Sequence, residues 1–376
     1  MGYKINRIEL GTDEKKSEFY VKEDGNIRTI HFPYLLNGDI ERYNKGVCRL
    51  LRLYVEDSAE LVFHLHYEQS DSLLDGIKKH FPLSKSVYTV HYQSWSTELR
   101  GNVTLFEKII RNQKNEKIKT KYNRIIDNYK REKTFIEKVN SIVCLSDDTL
   151  NLVQNQYGIK QNIWLIQNGL RKIFRNLSEN QKMELREKYY ISPEEKVLLF
   201  VGRIHPIKGV DRLIACFDDL VKDYPNCRLV VVGNGNINGI IEKCRNAYSK
   251  VTFTGRLDRK TLYQWYQMAD IALFPSFYEE CSYVGIEMMM HGLPVIASDG
   301  YSVKNMFHEG VNAKVARIEY RKRKSGFEKN LRKSIVELLN SDLSESIIRK
   351  GAKKEFQSKY SIERMQKGYA ELFNSL

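Results

Sequence analysis

Short apolar runs alternate with amphipathic stretches along most of this chain. The runs end near Gly, Pro or Ser, and their mostly apolar composition predicts strands buried on both faces of a parallel sheet. The stretches between them place apolar residues at intervals of three and four, which predicts helices. Predicted strands lie at Leu61–His64, Ser86–His91, Ser141–Cys144, Asn162–Ile166, Val197–Val201, Arg228–Val232, Lys250–Thr254, Ile271–Phe274, Pro294–Ala297 and Ala313–Ala316. The alternation predicts the α/β fold class with doubly wound parallel sheets.

A loop at Asn168–Lys172 interrupts this alternation and is followed by a polar helical stretch. We therefore expect two Rossmann-like domains, one over residues 1–170 and one over residues 171–354. The closing segment, residues 355–376, is predicted to be helical.

One stretch, Phe274–Asp299, joins a strand end, an acidic loop and a helix expected from Tyr283 to His291. Gly292 and the following Pro294 are typical stop signals for that helix. Glu279 then lies in the loop and Glu287 in the second helical turn. Carboxylates accept hydrogen bonds from sugar hydroxyls, and a helix N-terminus favours a diphosphate. The alternative interpretation is that both glutamates merely lie on a solvated loop and helix face.

A second stretch ends the predicted strand Val197–Val201 with Gly202 and Arg203, and Lys208 and Gly209 follow soon after. The two cations come at the carboxyl end of a strand, where open α/β sheets bind ligands. Fixed cations of this kind stabilise the charge of a departing diphosphate.

Four ordered blocks together resemble the family-4 retaining glycosyltransferases of GT-B fold. The blocks are GRIHPIKGVDRLI, VVVGNGN, VTFTGRLD and the stretch from FPSFYEEC to GLPVIASD. The resemblance implies two Rossmann-like domains facing a cleft, with the last helix returning to the first domain. It also implies transfer of a hexose with retention from a UDP-sugar or GDP-sugar to a glycan, lipid-linked or other acceptor. No metal or other cofactor is expected, and the chain has no Asp-x-Asp for a divalent metal.

The resemblance implies roles for individual residues. Arg203 and Lys208 would contact the diphosphate, Glu279 the donor-sugar hydroxyls, and Glu287 the ribose. His91, in YTVHYQSW, would face the donor sugar, and front-face transfer would need it only for positioning. The expected catalytic residues are therefore His91, Arg203, Lys208 and Glu279. The expected nucleotide-sugar-binding residues are Gly202, Arg203, Lys208, Arg256, Leu257, Glu279, Ser282, Tyr283, Val284 and Glu287. His64 and His66 are the runner-up histidines, more typical of a satisfied core or loop than of a metal site.

The chain departs from the family pattern at two places. Glycines often stand where this chain has Glu280 and Ser282, so Glu280 must point away from an anionic ligand. The opening Met1–Leu10 resembles the second strand of such proteins, and we hypothesise that the first strand, its glycine loop and its helix are missing. Asn37 and Gly38 come too late for a clear substitute loop. The alternative function is therefore a catalytically impaired nucleotide-sugar-binding protein.

The net charge of the chain indicates what kind of partner it binds. The chain has 61 Lys and Arg against 47 Asp and Glu, a net charge of +14, which favours an anionic partner. Residues 104–138 hold eleven of these bases and five acids among apolar residues at helical spacing. They are either basic helices that dock on an anionic membrane or, as we favour, surface helices with a buried stripe. The basic cluster Arg321–Lys324 is expected to be a solvated loop.

The rest of the composition argues against several classes of protein. The chain has neither an apolar run long enough to cross a bilayer nor a signal-like opening, so we expect a cytoplasmic protein, at most at the inner face of the plasma membrane. The six cysteines show no Cys-x-x-Cys pair and are expected to be reduced core thiols. Zinc-finger and RNA-binding motifs are lacking, so a nucleic-acid partner ranks last.

Overall fold

The computed structural model describes residues 4–11, 18–33, 39–66, 71–320 and 326–376. Its chain divides into two compact units. Unit 1 comprises Met1–Thr89, Glu132–Ile142 and Ala370–Leu376, and unit 2 comprises Val90–Arg131 and Val143–Tyr369. The domain ranges expected from sequence, 1–170 with 355–376 and 171–354, stay a prediction. Asn37, Gly38 and the cluster Arg321–Lys324 lie outside the described residues.

Unit 1 begins with a small sheet in which β1 runs parallel to β3 and β2 pairs with β3 as an antiparallel hairpin. Its elements are β1 (Ile5–Leu10), β2 (Tyr20–Asp24), β3 (Ile27–Phe32), α1 (Ile40–Leu51), β4 (Val62–Leu65), α2 (Asp71–His80) and β5 (Lys85–Val90). The side chain of Asp39 caps α1 by accepting from the amides of Glu41 and Arg42. Apolar residues of β3, α1 and α2 form the core, with Ile30, Cys48 and Phe81 among the most buried.

The following segment contains α3 (Trp95–Glu98), α4 (Val103–Arg111), α5 (Glu116–Lys138), β6 (Ser141–Cys144), α6 (Asp147–Leu152), a π-helical turn (Val153–Tyr157) and β7 (Ile163–Leu165). Strands β4, β5, β6 and β7 form a four-stranded sheet in that order. The basic segment 104–138 thus lies in α4 and α5, and α5 is kinked at Tyr122. Its apolar stripe is buried, as the favoured interpretation predicted, at Phe106, Ile109, Ile110, Ile125, Ile126, Phe135 and Ile136.

A six-stranded parallel sheet forms the rest of unit 2. Its strands are β8 (Lys196–Val201), β9 (Cys227–Val232), β10 (Val251–Gly255), β11 (Ile271–Phe274), β12 (Val295–Ser298) and β13 (Lys314–Ala316). Its helices are α7 (Glu179–Lys188), α8 (Val210–Leu220), α9 (Asn238–Ile241), α10 (Arg259–Met268), α11 (Tyr283–His291), α12 (Val303–Met306), α13 (Gly326–Leu339) and α14 (Asp342–Lys359). The last helix, α15 (Ile362–Asn374), begins in unit 2, and its residues from Ala370 onward belong to unit 1. The order β10-β9-β8-β11-β12-β13 reverses direction between β8 and β11. Ligands of doubly wound folds bind at this reversal, outside the carboxyl ends of the strands.

All ten predicted strands are confirmed, with ends that differ by no more than one residue. The helix predicted at Tyr283–His291 is confirmed as α11. Within the described ranges, the chain contains no helix whose length and apolar character would let it cross a bilayer.

Candidate functional site

The loops after β8 and β11 are packed directly against each other. The amide of Phe277 donates to the carbonyl of Ile207 over 2.8 Å. Gly209 has φ of +70° and lies against Pro275, so that a Cβ at position 209 would come 2.1 Å from the carbonyl oxygen of Pro275. Only glycine fits this contact, because the backbone is left-handed and the space is already filled. The two loops are therefore held at the point where the strand order reverses.

Lys208 and Glu279, predicted separately from two motifs, meet between these loops. The ammonium of Lys208 lies 2.7 Å from Oε1 of Glu279, and both side chains are largely buried. Arg203, on the same loop as Lys208, is exposed and forms no hydrogen bond or ion pair with any other described residue. The site therefore holds one cation already paired with a carboxylate and a second cation available to a ligand.

The N-terminus of α11 opens beside this pair. Ser282 caps the helix, since its Oγ accepts from the amide of Gly285 over 3.4 Å. Among the described residues, the amides of Tyr283 and Val284 have no acceptor. Free amides and the positive end of the helix dipole form a binding site for an anion such as a phosphate. The Ser282 hydroxyl keeps its own hydrogen for a further acceptor.

Glu287, on the second turn of α11, is held by two tyrosines that sequence reasoning missed. The Tyr266 hydroxyl donates to Oε2 of Glu287 over 3.0 Å, and Tyr263 also hydrogen-bonds this carboxylate. Burial raises the pKa of Glu287 above its usual range, against the opposing effects of these hydroxyls and of Arg259. Tyr263 and Tyr266 lie three residues apart on α10 and thus on one face, a spacing visible in the sequence. Their partner on another helix was not visible.

His291 closes the same cluster from the last turn of α11. Its Nδ1 lies 2.8 Å from the carbonyl oxygen of Glu287, and its ring stacks on Phe174 with centroids 3.8 Å apart. Burial lowers the pKa of His291 to about 4, so the ring is neutral at physiological pH. The stacked rings of His291 and Phe174 are therefore uncharged themselves, and the Lys172 ammonium lies over Phe174, 5.1 Å from its ring centroid.

Glycines bring the turns after β8 and β9 into contact. A Cβ at Gly233, where φ is +142°, would come 1.9 Å from the carbonyl oxygen of Gly202. Next to it, Oδ1 of Asn234 accepts from the amide of Arg256 over 2.9 Å. Arg256 and Leu257 therefore lie at the same edge of the sheet, beyond the end of β10, with Arg256 exposed.

His91 directly follows β5 and is half-buried. The residues after it contact the neighbours of Glu279: the ring of Trp95 lies 5.9 Å from that of Tyr278 and 5.3 Å from that of Tyr301. The segment that carries His91 thus packs next to the acidic loop. The role of His91 itself stays a prediction.

Glu280 is turned into the protein, as the sequence required. Its side chain is buried, and its carboxylate accepts from the hydroxyls of Thr149 and Tyr278. The charge of Glu280 therefore does not face the free amides at the start of α11.

The two runner-up histidines and the six cysteines lie among structural contacts. His64 Nε2 lies 2.7 Å from the Thr89 hydroxyl oxygen, and its ring lies 4.1 Å from that of His66. All six cysteines are free and buried, and burial raises the pKa of Cys281 to about 12. No group of three or more His, Cys, Asp or Glu among the described residues could hold a metal ion. Metal independence stays a prediction.

Comparison with known proteins adds to this geometry. Residues 181–354 match the model of the family described as Glycosyl transferases group 1. An uncharacterized glycosyltransferase of Methanocaldococcus jannaschii is 30% identical over 183 residues, which are 48% of this chain and 44% of that protein. The chain spans less than half the length of the curated relatives it matches.

Solved structures are similar over nearly the whole chain. Sucrose-phosphate synthase from Thermosynechococcus elongatus has a TM-score of 0.75 at 18% identity and is matched over 100% of this chain and 90% of its own. Anabaena HepE in complex with UDP and glucose has a TM-score of 0.68 at 16% identity, over 93% of this chain and 86% of its own. At such identities the likeness shows the fold, and the predicted fold class, α/β of GT-B type, is confirmed.

Proposed function

We propose that this protein is a retaining glycosyltransferase that moves a hexose from a UDP-sugar or GDP-sugar to a glycan, lipid-linked or other acceptor. The observation that carries the proposal is the ion pair of Lys208 with Glu279 at the reversal of strand order, on the loop that leads into the free amides of α11. The family match over residues 181–354 supports it. No feature of the described residues favours the alternative of a catalytically impaired binder.

The proposed donor lies with its diphosphate between the two loops. Arg203 and the amides of Tyr283 and Val284 bind phosphate oxygens, and Lys208 stabilises the charge that develops as the diphosphate leaves. Glu287 accepts hydrogen bonds from the ribose hydroxyls, and Glu279 accepts from the hydroxyls of the sugar. The backbone near Arg256 and Leu257 borders the nucleobase. These cations and amides supply the stabilisation that a divalent metal supplies in other transferases.

The proposed reaction needs no protein base. The bond between the anomeric carbon and the diphosphate oxygen breaks, and the acceptor hydroxyl attacks from the same face. The acceptor oxygen forms its bond to the anomeric carbon on the face that the diphosphate leaves, so the anomeric configuration is retained, and a leaving-phosphate oxygen takes the acceptor proton. His91 positions the sugar.

Nucleotide binding and turnover test this proposal. We expect UDP or GDP to raise the melting temperature, and the matching nucleotide-sugar to be turned over at the same rate with and without EDTA. UDP is the first probe, because Anabaena HepE was solved with UDP and glucose.

Lys208→Ala should lower the turnover rate at least tenfold, because it removes a fixed cation next to the leaving group. Lys222→Ala is the matched control, since Lys222 is also paired with a carboxylate, 3.1 Å from Asp219, but follows α8 at the far end of that helix. A folded wild-type protein that binds neither UDP nor GDP contradicts the proposal.

A further inference from the structure

Three consecutive residues of the acidic loop point in alternating directions. Tyr278 forms a parallel bridge with Tyr301, and their rings stack with centroids 5.2 Å apart. The amide of Glu279 donates to the carbonyl of Tyr301 over 3.1 Å, so the loop is extended here. In an extended chain, alternate side chains share one side. Accordingly, Tyr278 bonds Glu280 on one side, whereas Glu279 reaches Lys208 on the other.

The Glu280 carboxylate ends a buried network of hydroxyl groups. Thr149, on α6, donates to Glu280. The oxygen of Thr149 lies 3.2 Å from the Tyr301 hydroxyl, 3.1 Å from the Ser146 hydroxyl and 3.4 Å from the amide nitrogen of Gln93. These five side chains are all at most 5% exposed.

The direction of this network is set by the carboxylate. A threonine hydroxyl has one hydrogen, and an ionised carboxylate has none to give. Because Thr149 donates its only hydrogen to Glu280, it acts toward its neighbours only as an acceptor, and its two lone pairs accept from at most two of them at a time. Groups from three separate segments, at Gln93, Thr149 and Tyr301, are thus oriented toward one residue of the acidic loop. Such buried networks fix the backbone to which they are attached.

Burial raises the pKa of Tyr301 well above its usual value, and the charge of Glu280 raises it further. Tyr301 therefore remains a protonated donor within the network. Burial is also the main cause of the raised pKa of Cys144, to which Glu280 adds.

We propose that Glu280 is a positioning residue whose anchorage by Thr149 and Tyr278 sets the place of the Glu279 carboxylate against the donor sugar. The proposal rests on the proposed function. Glu279 shares its backbone with Glu280, and its other constraints are the Tyr301 carbonyl and the Lys208 ammonium. Loss of the anchor leaves the diphosphate contacts of Arg203 and α11 in place but displaces the carboxylate that meets the sugar.

Variants of Thr149 test the anchor without touching the acidic loop. Thr149→Val removes the hydroxyl that Glu280 accepts from, and Thr149→Ser keeps it. The probes are UDP-glucose, UDP-N-acetylglucosamine and GDP-mannose, each compared with its nucleoside diphosphate by calorimetry. For the probe that wild type binds most tightly, we expect Thr149→Val to weaken the nucleotide-sugar roughly five- to tenfold, the range of one lost hydrogen bond. The diphosphate should stay within about twofold, and Thr149→Ser should restore both values.

Glu280→Gln is the second variant, since it keeps the shape of the side chain and removes its charge. It should also weaken binding of the nucleotide-sugar more than binding of the nucleoside diphosphate. Glu195→Gln is its control, because Glu195 is a similarly buried glutamate of unit 2. It directly precedes β8 and forms an ion pair with Arg228. A purely structural role predicts that both Gln variants lower the melting temperature and leave the affinity ratio unchanged.

The outcomes separate the two proposals. If wild type binds none of the nucleotides, the proposed function fails and this inference fails with it. If wild type binds a nucleotide, but Thr149→Val and Glu280→Gln weaken binding of the nucleotide-sugar and of the nucleoside diphosphate equally, the positioning role alone is overturned. The same holds if these variants weaken the binding of neither ligand. Selective loss with Thr149→Ser rescue supports it.

Discussion

At the scale of single residues, Glu287 combines burial with a proposed role that needs its charge. An acid whose pKa is raised by folding holds its proton more tightly in the folded protein. The stability it contributes is therefore present at low pH and lost as the pH rises through the raised folded pKa. At neutral pH the buried charge opposes folding of the ligand-free protein. Binding of a ribose diol uses that same charge.

We expect Glu287→Gln to melt no lower than wild type at neutral pH when no ligand is bound, because the buried charge is gone. Its affinity for the matching nucleotide should fall about 10- to 100-fold, since hydrogen bonds to a charged acceptor are lost. As the pH is lowered, nucleotide affinity should decline more steeply for wild type than for the variant, whose side chain does not titrate. Differential scanning fluorimetry and calorimetry from pH 5 to 8 measure both effects. Equal pH profiles would contradict the role given to Glu287.

Sequence could single out Glu279, Glu287, Arg203 and Lys208 as candidates, because each stands at a fixed distance from a strand end or a helix start. It could not find Tyr266, since the contact between α10 and α11 depends on how two helices pack. Glu280 shows the same limit. The sequence required it to turn inward, but Thr149, its partner, lies 131 residues away along the chain.

At the scale of elements, the contact between Gly209 and Pro275 holds the two site loops together. Gly209→Ala should lower the free energy of unfolding by about 2–4 kcal/mol, because it combines a left-handed backbone with a clash against a carbonyl oxygen. Gly310→Ala is the control, since Gly310 also has φ of +70° but a Cβ there meets nothing within 4 Å. Gly310→Ala should lower the free energy of unfolding by about 1–2 kcal/mol. Urea unfolding of both variants measures the difference, and equal costs would show that the loop contact adds nothing.

The buried parallel strands were predictable because an apolar run between turn residues has few other interpretations. The β2–β3 hairpin was missed, although Gly25 and Asn26, the two residues between its strands, are a turn signal. Its first strand, Tyr20–Asp24, is largely charged and mostly exposed. Apolar composition, the signal that revealed the other strands, is lacking there.

At the scale of the whole molecule, composition indicates an anionic partner but does not say which one. The net charge of +14 fits a nucleotide-sugar, a membrane surface or a nucleic acid equally well. Only the packing of α4 and α5 adds information. Their apolar stripe is buried, whereas Lys117, Lys121 and other bases of the same segment are exposed. Any contact of this segment with a membrane is therefore electrostatic and does not insert apolar side chains.

This argument predicts salt-sensitive binding to anionic vesicles. The protein should sediment with phosphatidylglycerol vesicles at low salt and be released at high salt, because charges at the surface are screened. The double variant Lys117→Glu/Lys121→Glu should lower vesicle partitioning at least tenfold, given about 1 kcal/mol for each base near the membrane. Lys350→Glu/Lys354→Glu, with the same spacing on α14 and exposed in the same way, is the control of equal net charge. If both double variants lose binding equally, the overall charge of the protein is responsible, and the segment 104–138 has no docking role of its own.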